Sequence, residues 1–219
     1  GYSSAASDVY KRQVSAPVAA GVLSDMDSPD KNATGTSNAI PVSDIIDLAQ
    51  STTPAKKYGL IYSGNEDNAT NTIKQVEEYL KSKNIEYVEK TAPTSSDIET
   101  ATNALINEGV DAIFVPNDSI IQDGVTKLAE ICNEKKIPTY CSSATTVASG
   151  CFATLAIDDK GIGKKTVDMA MDYFDGKKVK DIPSQVVGID YCSVNTNAMK
   201  ALGITKDQIK TKYDINEIQ

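Results

Sequence analysis

Residues 58–118 read YGLIYSGNEDNATNTIKQVEEYLKSKNIEYVEKTAPTSSDIETATNALINEGVDAIFVPND. Three short apolar runs, YGLIY (58–62), IEYVEKTA (85–92) and DAIFVPND (111–118), have strand length and are bounded by polar clusters. Between the first two, Ile73, Val76, Tyr79 and Leu80 recur at helical spacing. Between the second and third, Ser96 and Glu99 have the spacing of a capping box, and Ile98, Ala101, Leu105 and Ile106 form the stripe behind them. Strands alternating with helices of this length imply parallel strands joined by right-handed crossovers, hence an α/β layered fold.

The same alternation continues downstream. Ile121, Val125, Leu128 and Cys132 predict a helix, and IPTYCSS (137–143) and CFATLAID (151–158) predict strands separated by the short segment ATTVASG. A helix after Gly161 is expected to bury Ile162, Thr166, Met169, Ala170 and Phe174 and to end near Gly176. SQVVGIDYCS (184–193) reads as the last strand and TNAMKALG (196–203) as the last clear helix. One complete α/β lobe is therefore expected from about Val42 to Leu155 plus the C-terminal strand and helix. The first thirteen residues, GYSSAASDVYKRQ, carry no periodicity and are read as a non-native head.

Composition narrows the chemistry. The 219 residues, 40% apolar, suffice for one or two ordinary cores. A formal net charge of −8 argues against nucleic acid, whose phosphates need a basic face. No apolar run approaches the roughly 18 residues of a membrane span, and the N-terminus has no basic-then-apolar leader. Histidine is absent, which removes Ser-His-Asp and Cys-His catalysis and histidine-ligated metals. Cys132, Cys141, Cys151 and Cys192 form no C-x-x-C pair, and neither a phosphate-binding loop nor G-x-G-x-x-G occurs. No catalytic residue, metal or cofactor is expected. Cys132 reads as a small buried hydrophobe, and Cys141 and Cys151 leave open whether they pair.

Ligands of open parallel sheets bind beyond the carboxyl ends of the strands. Those ends carry Ser63, Gly64, Asn65, Glu66, Asp67 and Asn68, then Asn117, Asp118 and Ser119, then Ser142 and Ser143, with Pro93 and Thr94 after the second strand. Hydroxyls, amides and carboxylates suit reversible hydrogen bonding to a small polar molecule. Residues of these types at strand-to-helix joints also serve as N-caps and turn formers. The 62–68 cluster YSGNEDN is denser in polar groups than one cap requires, which favours the site there. Tyr62 and Phe114 lie within their strands and read as core.

The segments VSAPVAAGVL, NATGTSNAIPV, YGLIYSGNEDN, VDAIFVPND, CFATLAIDDKGIGKKTVDMA and NTNAMKALGI stand in this order between Val14 and Ile204. As an ordered set they resemble the ABC-transporter solute-binding proteins of the tryptophan/tyrosine type, which have the type I periplasmic-binding-protein fold. The resemblance implies a three-layer α/β/α fold of two lobes with a ligand cleft between them and three crossings of the chain. It places 14–41 and 158–183 in the first lobe and 42–157 and 184–219 in the second. Roughly 100 further residues would precede Val14 in such a protein, so the second lobe is expected complete and the first mostly missing. Ser63, Glu66 and Asn68 would bind the ligand's polar groups, Asn117 and Asp118 would lie on another ligand-facing loop, Ser15 on a first-lobe turn, and Asp158 at a crossover. Ala16 stands where relatives often carry an acid, and Ser143 and Thr145 near where amino-acid binders often carry one. The implied function is extracytoplasmic capture of a small polar solute, an amino acid or aromatic amino acid among them. Its partner would be an ABC permease, with the protein periplasmic or anchored as a lipoprotein. A receptor's sensing domain and a small flavodoxin-like enzyme are the alternatives.

Overall fold

The structure is a computed structural model and describes residues 9–11, 17–18 and 21–219. In chain order the elements begin with β1 (Val9–Lys11), β2 (Ala33–Ser37), α1 (Val42–Thr52), β3 (Lys57–Tyr62), α2 (Asp67–Ser82) and β4 (Glu86–Thr91). They continue with α3 (Ile98–Asn107), β5 (Ala112–Val115), α4 (Ser119–Glu134), β6 (Thr139–Cys141), α5 (Ala144–Ala148) and β7 (Ala153–Ala156). Last come α6 (Asp159–Phe174), β8 (Gln185–Val186), β9 (Tyr191–Asn195), α7 (Thr196–Leu202) and β10 (Asp214–Ile218). Two compact units divide them: residues up to Ala39 with Ile157–Ile189, and Ile40–Ala156 with Asp190–Gln219.

The second unit carries a seven-stranded sheet in the order β10-β9-β7-β6-β5-β3-β4. Strands β4, β3, β5, β6 and β7 are mutually parallel, as the alternation requires. Strand β9 departs from that expectation. It runs antiparallel to β7, with Ala156 opposite Tyr191 and Ala153 opposite Val194, and β10 pairs parallel to β9 beyond it.

Strand alternation sorts the core into two faces. On one, Ile61, Ile113, Val115 and Cys141 pack with Ile98, Leu105, Ile121, Val125, Leu128 and Cys132 of α3 and α4. On the other lie Tyr58, Leu60, Phe114 and Tyr140, the side covered by α1 and α2 with their buried Ile45, Ile46, Ile73, Val76 and Leu80. Two buried phenols there are satisfied, Tyr140 by Thr53 Oγ1 at 2.7 Å and Tyr58 by Gln50 Nε2 at 3.3 Å. Close approach requires glycine at position 124: a Cβ there would lie 2.5 Å from Ile98 Cδ1 and 3.2 Å from the Ser95 carbonyl oxygen.

The first unit holds a parallel sheet in the order β1-β2-β8, against which α6 packs through β2. Several expectations are corrected. SQVVGIDYCS is two strands, because Gln185 and Val186 pair with Thr36 and Ser37 of β2 while Tyr191–Asn195 pairs with β7. Residues 184–189 accordingly group with the first unit rather than with the segment after them. The predicted capping box at Ser96 lies two residues earlier: the Thr94 N–H donates to Asp97 Oδ2 at 3.1 Å and its hydroxyl to the same atom at 2.7 Å, opening a 3-10 turn into α3. ATTVASG contains α5, and Phe174 is 75% exposed, not buried. All four cysteines are free and buried. With Tyr140 opposite Ala153, Cys141 stands beside Thr154 in the register and Cys151 three positions before it.

Candidate functional site

The carboxyl ends of β3 and β5 are adjacent, and the loops leaving them are cross-linked. Asp118 ends the second loop and is 1% exposed. Its Oδ1 accepts from the amides of Ile120 (3.1 Å) and Ile121 (3.2 Å), capping α4, and its Oδ2 accepts from the Ser63 N–H at 2.8 Å. Three backbone amides therefore occupy this carboxylate, which ties the two loops together. Ser63, 2% exposed, accepts the Asn65 N–H on its Oγ at 3.1 Å and shapes the turn at Gly64, whose φ of 79° suits glycine.

The side chains of the exposed part of the loops are each held on one side. Asn65 donates Nδ2 to the Pro93 carbonyl at 3.2 Å. Asn68 donates Nδ2 to the Asn117 carbonyl at 3.2 Å. Glu66, the N-cap residue of α2, makes no cap bond to its own helix and accepts instead the Ser119 N–H of α4 on Oε1 at 3.0 Å. Asn117 accepts Gln122 Nε2 on its Oδ1. Four groups then remain without a partner among the described residues: Asn65 Oδ1, Glu66 Oε2, Asn68 Oδ1 and Asn117 Nδ2. The first-turn amides of Asp67 and Asn68 likewise have no side-chain cap, at the positive end of a 16-residue helix.

The remaining predicted residues are placed elsewhere. Ser143 is the N-cap of α5, its Oγ 3.3 Å from the Thr145 amide and 2.6 Å from the Thr145 hydroxyl. Ser142 Oγ is buried and has no hydrogen-bond partner among the described residues. Asp158 lies in the other unit and caps α6 through Lys160 N and Gly161 N. Ser15 falls outside the described residues. Tyr62 is half-buried and donates to Glu89 Oε2 at 3.0 Å, and burial together with that acidic neighbour pushes its phenol up to about 12. Two open grooves, of about 380 Å³ beside Val42 and Tyr79 and about 870 Å³ beside Tyr173 and Phe174, share no residue with this polar cluster.

Sequence reasoning missed Gln122 and the start of β9. Gln122 lies in the first turn of α4, four residues after the N-cap, where a polar side chain reads as solvent-facing. The reversed direction of β9 brings Asp190 and Tyr191 to the same sheet end as the strand exits, with the Asp190 N–H donating to the Ala156 carbonyl at 2.9 Å.

Comparison with known proteins puts this arrangement in context. The family model described as ABC transporter substrate binding protein matches residues 9–213. A tyrosine-binding protein of Clostridioides difficile (strain R20291) is 33% identical over 201 residues, 90% of this chain. The chain spans 58% of that protein's length. Among solved structures, a ligand-free, open substrate-binding protein with adhesive properties from Clostridium difficile matches with a TM-score of 0.81 at 28% identity, over 94% of this chain and 70% of that one. An ABC domain from Streptococcus pneumonia in complex with L-Trp matches with a TM-score of 0.80 at 26% identity, over 95% and 71% respectively. The fold is thus that of the type I periplasmic binding proteins.

Proposed function

This chain belongs to the family of ABC transporter substrate-binding proteins, and from that premise we propose that it holds a zwitterionic amino acid at the exits of β3 and β5. The observation that carries the reading is the displaced cap. Glu66 gives Oε1 to α4 and leaves the amino end of α2 uncapped. Amides at a helix amino end attract a carboxylate, while Glu66 Oε2, Asn65 Oδ1 and Asn68 Oδ1 accept from an ammonium group. An anionic and a cationic demand stand side by side, as they do on the α-carbon of an amino acid. The relatives named for tyrosine and bound to L-Trp support an aromatic side chain on the ligand.

The chemistry is reversible binding, with the solute passed to an ABC permease outside the cytoplasm. No helix of the described residues is long and apolar enough to cross a membrane. The family match favours this role over a receptor's sensing domain or a flavodoxin-like enzyme.

Calorimetric titration with L-tyrosine and L-tryptophan tests the proposal, alongside tyramine and 3-(4-hydroxyphenyl)propanoate, which each lack one charged pole. At least one amino acid should bind, and each one-poled analogue should bind about tenfold or more weakly, because a charged hydrogen bond contributes roughly 1.5–3 kcal/mol. Equal binding of the analogues would overturn the two-pole reading.

A further inference from the structure

Two side chains at the amino end of α2 are keyed by main-chain groups that cannot reverse. Glu66, the N-cap residue, has Oε1 held by the Ser119 N–H at 3.0 Å, which leaves Oε2 as a second acceptor. Asn68 donates Nδ2 to the Asn117 carbonyl at 3.2 Å. A carbonyl only accepts, so a flipped carboxamide would set oxygen against oxygen, and the orientation of Asn68 is fixed with Oδ1 on the other side. Both keys come from the segment that follows β5. The turn therefore presents a carboxylate oxygen and an amide oxygen whose direction no local rotation exchanges.

We infer that Glu66, supported by Asn68, is the specificity-determining residue for the substituent on the ligand's α-carbon, and that it selects an α-amino acid over the α-keto acid of the same side chain. This selection rests on the amino-acid reading of the site. An ammonium group only donates and satisfies both oxygens, whereas a keto oxygen only accepts and would face them unpaired. A site built around a hydrogen bond rejects the analogue that cannot make it. A hydroxyl both donates and accepts, so an α-hydroxy acid falls between the two.

The test titrates the full chain calorimetrically with L-tyrosine, 3-(4-hydroxyphenyl)lactate and 4-hydroxyphenylpyruvate. In the wild type the keto acid should bind roughly tenfold or more weakly than L-tyrosine. Equal affinity would overturn the selection while leaving an aromatic acid as the ligand. Glu66→Gln keeps the bond to Ser119, because that N–H only donates and so holds the amide oxygen, turning Nε2 outward as a donor. L-tyrosine should then lose roughly tenfold, and the keto acid should gain roughly tenfold relative to the hydroxy acid. The hydroxy and keto acids carry the same charge, so their comparison removes the effect of the negative charge lost at Glu66. Equal shifts of the two would show a charge effect alone and overturn the role of Glu66. Asn68→Ala, which leaves the Ser119 bond untouched, should narrow the preference for L-tyrosine over the keto acid roughly fivefold. If Glu66→Gln lowers the unfolding midpoint, Asn68→Ala decides, and an unchanged preference there overturns the selection. If none of the three ligands binds the wild type, the amino-acid reading itself fails and the selection falls with it.

Discussion

The Asp118 carboxylate receives the Ser63 N–H at 2.8 Å, so the acid that caps α4 also terminates β3. One buried side chain fixes the distance between the two loops of the candidate site. The neighbouring Asn117 is exposed and takes no part in this tie.

Asp118→Ala should therefore be a stability variant. It removes a helix cap, worth typically about 1 kcal/mol, and strands the buried Ser63 N–H, at a cost of about 1–3 kcal/mol. A loss of roughly 2–4 kcal/mol in urea unfolding is expected. A variant as stable as the wild type would mean that water or a neighbouring group replaces the carboxylate.

Two helical glycines should respond to alanine with opposite signs. At Gly124 the new methyl meets Ile98 Cδ1 at 2.5 Å and the Ser95 carbonyl at 3.2 Å. The clash outweighs the helix-propensity gain and gives a net loss of about 1 kcal/mol. At Gly163, in α6, nothing lies within 4 Å, so alanine should stabilise α6 by up to about 1 kcal/mol. Thermal midpoints of the two variants decide, and shifts in the same direction would contradict the packing argument.

Glu89 gives a pH dependence. Desolvation holds its carboxyl above the ordinary range, the Tyr62 hydroxyl bond opposes this, and Glu77 adds to the rise. A folded-state pKa above the unfolded one means that the folded protein binds the proton more tightly. The associated stability is present at low pH and lost as pH rises through the folded value. Glu89→Gln cannot ionise, so its stability relative to the wild type should increase between acid and neutral pH. A difference that is constant across that range would show that Glu89 titrates alike in both states.

The cysteines should be silent toward a thiol reagent until the protein unfolds. Burial pushes the thiols of Cys132 and Cys141 well up, and that of Cys192 to about 12. Reagents attack the thiolate, so the native chain should show no fast-reacting thiol and the denatured chain four. Prompt labelling of one residue in the native state would locate an opening near it.

The layered fold was legible because Ile73, Val76, Leu80 and their counterparts repeat at a helical period, and because strand-length runs separate them. The direction of β9 was not, since alternation along Tyr191–Asn195 is the same read either way, and only its pairing with β7 reveals the reversal. The polar loops at the strand exits were legible as a cluster, and the division of labour among their side chains was not. Asn117 and Asp118 are adjacent, polar and suited to the same turn, yet one is exposed and the other 1% exposed. Their separation depends on Ser63 N, 55 residues away in the sequence, which no local pattern encodes.

The exchange of caps between the two loops also constrains how specificity can be moved from one protein to another. Glu66 rests on Ser119, and Asn68 on the Asn117 carbonyl. Grafting residues 63–68 alone into a homologous scaffold would leave Glu66 facing an unfamiliar helix start and Asn68 facing a changed peptide. The transplantable unit is the matched pair of segments 63–68 and 117–122, and a chimaera exchanging both should inherit the donor's ligand preference where either single exchange would not.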